Sequence, residues 1–243
     1  RNGVRYLDGG WQRAVDALAT GVDVLASEVT AVRGDADGVT VELADGSSRR
    51  ARASVIAVNS PATAARLLGR DAWPVGEPAF VASLDLVHEA RDVHDVAPHV
   101  VFDVDEPRYF APHGPPADLA PVGLAVSHAA RYVRAVATGR LAPAACRGDL
   151  EALAAEAGLA PGAVVASRYL HRVTAVSALA VAPLGGLAGR PRHSDTEVPG
   201  VFVAGDWVGP VGHLADACAA SARSAAHAAA GWATTRSVVP AGG

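Results

Sequence analysis

The side chain with the clearest potential for ligand chemistry is Asp206, which with Gly205 follows an apolar run near the carboxyl end. That run, Val201 to Ala204, is branched and apolar and lies between Pro-Gly and Gly, which predicts a buried strand. A carboxylate one residue beyond such a strand is placed to accept hydrogen bonds from a sugar-like hydroxyl.

An anion-binding helix start is predicted a few residues later. Pro210 and Gly212 mark a loop, and residues 213–230 are rich in alanine, which favours a helix. Gly212 and His213 would then lie where backbone N–H groups are unpaired and the helix dipole is positive. Such a terminus suits a ligand that carries negative charge.

Composition excludes several classes of function. The chain has 243 residues, half of them apolar, which is enough for a core in one large or two small domains. A formal net charge of −4 argues against nucleic acid and anionic lipid as partners. All 21 basic residues are arginine, so neither a Schiff-base lysine nor a P-loop lysine is present.

Cysteine usage and hydropathy indicate a cytoplasmic protein, with peripheral contact to a membrane as the alternative. Cys146 and Cys218 lack metal-ligand spacing and fit idle thiols in a reducing compartment. No apolar run is long enough to cross a membrane, and the first residues do not resemble a signal peptide. The chain contains no Met, which predicts a fragment, a processed subunit or the carboxyl-terminal part of a longer protein.

Hydrophobic periodicity predicts both helices and strands. In chain order they are a helix after Gly10, strands over residues 22–25, 29–33, 39–43 and 53–58, a helix over 62–68, strands over 79–87, 100–103, 108–111 and 122–128, a helix over 143–158, strands over 164–170 and 201–204, and a helix over 213–230. Asp45-Gly46 lies between alternating segments and predicts a hairpin turn. The order predicts an α/β (α+β) fold in which residues 1–73 and 193–233 form one domain. A mostly β domain over residues 74–192 interrupts it, and residues 234–243 are expected to be a disordered tail.

The histidines offer no clear metal or hydrolytic site. His88, His94 and His99 are close in sequence but lack helical i, i+4 pairing and Cys partners, which favours a surface loop. Ser127 and His128 are neighbours on a predicted strand and should point to opposite faces. No metal ligand and no catalytic acid or base is assigned.

Three segments resemble the FAD-dependent amine oxidase and phytoene desaturase superfamily, and more narrowly its bacterial phytoene-dehydrogenase-related flavoproteins. Tyr6-x-x-Gly-Gly-Trp with the following helix and Val29-x-x-Val is similar to the middle of the family's FAD domain. Arg108-Tyr-Phe-Ala, Ala117-Asp-Leu-Ala-Pro and His128 resemble its substrate domain. The stretch from Val203 to Gly212 resembles the closing FAD motif and is the most specific of the three.

The resemblance implies a Rossmann-like FAD domain interrupted by a substrate domain, and it implies roles for individual residues. Asp206, after Gly205, would bind the ribityl or pyrophosphate portion of FAD. The backbone of Gly212, His213 and Leu214 would face the pyrimidine edge of the flavin, where a helix start stabilises negative charge near N1 and O2.

Two further positions carry alternatives. The backbone of Val29 would pair with adenine, although a valine at this place is core in most proteins. Trp207 would lie beside the flavin ring, or it would pack beneath the loop as large aromatic side chains commonly do.

Two departures from the family pattern shape the functional prediction. The Gly-x-Gly-x-x-Gly motif of the first βαβ unit does not occur in the 243 residues, so a separate chain with the amino-terminal FAD segment is an expected partner. The active-site lysine of amine-oxidising members is absent, which favours a desaturase- or dehydrogenase-like reaction.

The predicted function is therefore an FAD-dependent oxidoreductase that transfers a hydride from a small, apolar substrate to the flavin, present here as a fragment or subunit. The alternative is a non-catalytic interaction subunit or an inactive remnant of a split flavoprotein. A nicotinamide dehydrogenase is disfavoured because its binding turn is also Gly-rich.

Overall fold

The computed structural model describes residues 6–90, 100–114, 117–133 and 142–235. The chain divides into two compact units, of which unit 1 comprises Arg1–Val24 and Ala79–Ala175 and unit 2 comprises Leu25–Pro78 and Val176–Gly243. The sequence predicted boundaries after residues 73 and 192. In the structure the chain passes between units after residues 24, 78 and 175, and residues 1–24 group with the later sheet.

Helices and strands mix along the chain, which confirms the predicted α/β fold. In chain order they are α1 (Gly10–Ala19), β1 (Val29–Asp35), β2 (Gly38–Leu43), β3 (Ser48–Ala51), β4 (Ser54–Ala57), α2 (Pro61–Leu68), β5 (Ala79–Glu89), β6 (Val101–Phe102), β7 (Arg108–Gly114), β8 (Leu124–Val133), α3 (Pro143–Glu156), β9 (Val164–Val176), β10 (Val201–Ala204) and α4 (Leu214–Thr235).

Unit 2 contains an antiparallel sheet in the order β1-β2-β3 and a parallel pair of β4 and β10. Its core includes Val32, Ile56, Val203 and Trp207, all nearly inaccessible to solvent. The short helix α2 begins where the sequence predicts, because Pro61 fits the first helical position and the Ser60 hydroxyl accepts the N–H of Thr63 at 3.2 Å.

Unit 1 is built on one five-stranded sheet in the order β6-β7-β8-β5-β9. Helix α3 packs on one face of this sheet, where Leu150 and Leu153 meet Leu84 and Phe110 in a single core cluster. Side chains that alternate with this core along the strands lie on the opposite face.

Three sequence predictions are wrong in detail. Residues 22–25 form no strand and are exposed, because alternation alone makes a strand only where a neighbouring edge can pair with it. The turn at Asp45-Gly46 connects β2 to Ser48–Ala51 and not to residues 53–58, which contribute the parallel strand β4. Residues 234 and 235 still belong to α4, and the rest of the expected disordered tail lies outside the described residues.

Helix α1 forms as predicted, but its apolar side chains do not enter a core. Trp11 is 67% exposed and Leu18 is 80% exposed. Among the helices that the structure describes, none is both long enough and apolar enough to span a bilayer.

Candidate functional site

The parallel strands of unit 2 bring two loops to the same edge. Ala204, the last residue of β10, is directly opposite Ala57, the last residue of β4. In open α/β sheets ligands bind beyond the carboxyl ends of parallel strands. All four residues of β10 are buried, as the sequence predicts, so Gly205 and Asp206 leave this edge from a fixed position.

Asp206 is a buried carboxylate held by the backbone of a distant segment. Its side chain belongs to the buried polar residues of the chain, at 8% exposure. Its Oδ2 accepts the N–H of Ser177 at 2.9 Å. The carboxylate is therefore fixed in direction by a contact that spans 29 residues of sequence. Its predicted role toward the ribityl or pyrophosphate portion of FAD stays a prediction.

Trp207 packs in the core of unit 2, which favours the second of the two sequence alternatives over contact with a flavin ring. Its indole is fully buried, lies 5.0 Å from the ring of Trp73, and donates its Nε1–H to the carbonyl of Val58 at 3.2 Å. A Cβ on Gly205 would stand 2.6 Å from Trp207 Nε1, so the close approach of the loop to the indole requires glycine.

The start of α4 is an unusual backbone turn. Gly212 has φ +72° and Leu214 has φ +50°, a conformation that is uncommon for a non-glycine residue. The carbonyl of His213 accepts the N–H of Asp216 at 3.1 Å and so begins the helix. Strained backbone of this kind persists where the surrounding structure holds it, and it clusters at ligand sites. The exposed residues His213 and Leu214 thus form a helix start of the predicted type.

Arg190 supports this turn and was missed by the sequence analysis. Its Nη1 donates to the carbonyl of Gly212 at 3.0 Å, and the residue is 9% exposed. The sequence around it predicted only a loop. The one sequence signal for this role was an arginine in a Gly-rich loop. That signal does not indicate which carbonyl the arginine binds.

A cleft of about 280 Å³ adjoins the loop between β10 and α4. It is lined by residues 208–211, by Ser221 and Ser224 of α4, and by Arg192 and His193. The cleft therefore lies along the middle of this loop, and none of the residues that the sequence assigned to the cofactor is among its lining residues. The volume is close to the lower limit of small-molecule pockets, roughly 300–1,000 Å³.

Val29 opens β1 and lies in unit 2 with the other predicted residues. It is directly opposite Leu43, and the register shifts just after it. Its side chain packs against the core cluster that contains Val203 and Trp207. The side chain is thus partly core, and the predicted pairing of its backbone with adenine stays a prediction.

The histidines of unit 1 separate as the strand alternation predicts. The predicted surface-loop position of His88 is wrong, because His88 belongs to β5 and is buried, with its Nε2 3.0 Å from the hydroxyl of Ser127. His128 points to the opposite face, where its Nδ1 lies 2.9 Å from Oδ1 of Asp85. His94 and His99 lie outside the described residues. Within the described part of the chain, no group of three or more His, Cys, Asp or Glu side chains is arranged to hold a metal ion.

Asp85 should make part of the stability of unit 1 dependent on pH. Hydrogen bonds from His128, and then from Arg168, hold the pKa of Asp85 below its usual value. A carboxylate with a lowered folded-state pKa stabilises the fold above its unfolded pKa of about 3.9 and loses this effect as the pH falls through the folded value. We expect Asp85→Asn to lower the free energy of unfolding at neutral pH, with a difference from wild type that shrinks below about pH 4. Urea denaturation at several pH values measures this, and Asp23→Asn, an exposed change of equal charge, is the control.

Comparisons with known proteins bear on both units. Residues 1–91 match the family model described as flavin containing amine oxidoreductase. Putrescine oxidase bound to putrescine is 17% identical, with a TM-score of 0.61 over 92% of this chain and 53% of that chain. Cyclohexylamine oxidase from Brevibacterium oxydans IH-35A is 17% identical, with a TM-score of 0.59 over 93% of this chain and 52% of that chain.

An oxidoreductase from Methanosarcina mazei is 18% identical, with a TM-score of 0.59 over 90% of this chain and 55% of that chain. At these identities the likeness shows the fold. The chain spans about half the length of the three solved structures. Comparison with curated protein sequences finds no match.

Residues 1–91 thus match a model of the superfamily that the motifs predicted, and the solved structures show the same fold along about nine-tenths of the chain. The narrower likeness to phytoene-dehydrogenase-related flavoproteins stays a prediction.

Proposed function

We propose that this chain is part of an FAD-dependent oxidoreductase that removes a hydride from its substrate in a dehydrogenase- or desaturase-like reaction. The observation that carries the proposal is the loop between β10 and α4. There a buried carboxylate and a left-handed turn into a helix start lie at the carboxyl end of a parallel strand pair. Because the chain spans about half of the flavoproteins it resembles, the activity of a whole flavoprotein belongs to this proposal.

The residues at this corner fit a flavin nucleotide. Asp206 offers a fixed carboxylate to hydroxyl groups, and the start of α4 offers backbone N–H groups and a positive dipole end to a part that carries negative charge. Bound FAD would supply the acceptor for the hydride of the substrate.

The other residues of the corner position these groups. Arg190 holds the carbonyl of Gly212, which fixes the direction of the turn before α4. Trp207 fills the space beneath Gly205 and keeps water from the base of the loop. A rigid site of this kind needs little reorganisation when a ligand binds.

A Gly-rich dinucleotide segment from outside these residues is part of the proposal, because that motif is absent from the sequence given. The segment would complete the FAD domain, either in the same polypeptide or as a separate chain. The missing lysine supports a dehydrogenase- or desaturase-like reaction over amine oxidation.

The direct test is bound flavin. The chain is purified alone and together with the Gly-rich segment encoded next to it, each is incubated with FAD, and the flavin absorbance that remains after gel filtration is measured. We expect retained FAD in the combined sample. If neither sample retains FAD, the proposal fails and the non-catalytic interaction subunit becomes the better account.

Asp206→Asn should weaken FAD binding by about tenfold or more, since hydrogen bonds to charged groups contribute about 1.5–3 kcal/mol. Asparagine keeps the shape and can still accept the N–H of Ser177, so the fold should survive. Quenching of flavin fluorescence on binding gives the dissociation constant. Asp71→Asn, an exposed change of equal charge in the same unit, should bind FAD as wild type does. Equal affinities of the two variants would contradict the assigned role of Asp206.

A further inference from the structure

Unit 1 carries a histidine–carboxylate pair on the face of its sheet that is opposite α3. Asp85 in β5 and His128 in β8 are directly opposite in the strand register, with His128 Nδ1 2.9 Å from Asp85 Oδ1. Arg168 in β9 donates from Nε and Nη2 to Asp85 Oδ2 at 3.1 and 2.8 Å. The carboxylate is thus held from two neighbouring strands, and its orientation toward the imidazole is fixed.

This arrangement leaves one nitrogen of His128 available. The lowered pKa of Asp85 keeps its carboxyl group ionised, and an ionised carboxylate only accepts hydrogen bonds. The Nδ1 atom of His128 therefore donates a proton to Asp85, and in the neutral imidazole Nε2 has the lone pair. Within the described residues Nε2 makes no hydrogen bond, and the His128 side chain is 19% exposed.

Aromatic rings flank the imidazole of His128. The rings of Tyr109 and His113, both in β7, have centroids 5.9 and 5.7 Å from that of His128. Ala111, which lies between them in β7, is directly opposite His128 in the strand register. The hydroxyl of Tyr6 lies 2.8 Å from Nδ1 of His113 and orients that second imidazole.

The neighbours of His128 are neutral at physiological pH, except for Asp85 and Arg168. Burial, and then repulsion by His128, lowers the pKa of His113. Burial raises the pKa of the Tyr109 hydroxyl. Asp85 is thus the one fixed carboxylate beside His128, and an imidazole oriented by a carboxylate is an arrangement that suits a proton acceptor.

We propose that this face of unit 1 binds a small molecule with an apolar or aromatic body and one hydroxyl group, and that Nε2 of His128 accepts the proton of that group. The O–H bond of the ligand breaks, its electron pair stays on the oxygen, and an N–H bond forms at Nε2. The charge that appears on His128 is balanced by Asp85, which Arg168 holds in place.

The substrate class follows if the ligand is the molecule that the flavoprotein oxidises, a step that rests on the proposed function. Loss of the O–H proton allows the adjacent carbon to release a hydride to bound FAD and form a C=O bond. The substrate would then be an alcohol. Binding and proton transfer at His128 do not depend on FAD.

The probe that tests this is 4-nitrophenol, an aromatic hydroxyl compound whose ionised form absorbs visible light. It is titrated into the full 243-residue chain without FAD at about pH 7, where an imidazole with the ordinary pKa of about 6.5 is mostly neutral. We expect binding to raise the phenolate absorbance and to move the ¹⁵N resonance of His128 Nε2 toward its protonated position.

The variants isolate the imidazole and its carboxylate. His128→Gln should abolish the phenolate band and weaken binding about tenfold, the effect of one charge-assisted hydrogen bond. Asp85→Asn should bind the phenol but ionise a smaller fraction of it. Tyr109→Phe removes only a hydroxyl and keeps the ring that flanks His128. His227→Gln, at an exposed position of α4, should match wild type.

Two results would overturn the proposal. One is a wild-type chain that shows neither the phenolate band nor the ¹⁵N shift, a measurement that needs no variant to fold. The other is a folded His128→Gln chain that binds and ionises the phenol as His227→Gln does. The contacts of Asp85 with His128 and Arg168 would then have only a structural role. Because FAD is absent from the assay, neither result depends on flavin binding.

Discussion

Trp207→Ala will lower the free energy of unfolding by about 3–5 kcal/mol, the usual effect of removing a large aromatic side chain from a core. The indole is fully buried against Trp73 and donates to the Val58 carbonyl at 3.2 Å. Its removal leaves a cavity beneath Gly205 and leaves the Val58 carbonyl without its donor. Urea denaturation followed by circular dichroism measures the change.

The chain provides a matched control for this substitution. Trp11 is 67% exposed, so Trp11→Ala removes the same side chain from a position where it buries little surface. Surface substitutions of this kind usually change stability by about 0.5 kcal/mol or less. Equal losses in the two variants would show that Trp207 does not carry the packing beneath the loop.

Gly212→Ala will reduce FAD affinity by about tenfold or more relative to Gly209→Ala, a difference of about 1.4 kcal/mol. Both glycines have left-handed φ, +72° and +77°, so alanine at either position adds about 1–2 kcal/mol of backbone strain. Only at Gly212 would the new Cβ also meet neighbours, Asp216 Cβ at 2.8 Å and Ala217 N at 3.2 Å. That contact must displace the first turn of α4.

The comparison of the two glycine variants separates the effect of backbone strain from the effect of displacing the first turn of α4. Flavin fluorescence quenching gives both affinities in the presence of the Gly-rich segment, and thermal unfolding shows whether both variants fold. If Gly209→Ala binds FAD as weakly as Gly212→Ala, the position of the first helical turn does not determine FAD affinity.

Local sequence patterns predicted those strands and helices that are specified by residues only a few positions apart. Val201–Ala204 is buried at every position, as an apolar run between Gly-Pro punctuation indicates. Helix α2 has its proline at the first position and Gly69 in a left-handed conformation at its end. These features depend on residues a few positions apart, and so the sequence alone predicts them.

Strand β3 shows where local signals fail. Its four residues are all exposed and include two arginines, so it has no hydrophobic alternation to detect. It forms because β2 offers a free edge that pairs with Arg49 and Arg50. Residues 22–25 are the opposite case, since they alternate but pair with nothing in the described residues and form no strand.

The sequence by itself determined the α/β character and the strand, Gly-Asp turn and Ala-rich helix of the candidate cofactor corner, because these are local patterns. Only the tertiary structure decided which side chains hold that corner and which face of the unit 1 sheet carries the His128–Asp85 pair. Ser177 binds Asp206 across 29 residues, Arg190 binds Gly212 across 22, and His128 meets Asp85 across 43. Such partners are chosen by the packing of distant elements, and no local spacing specifies them.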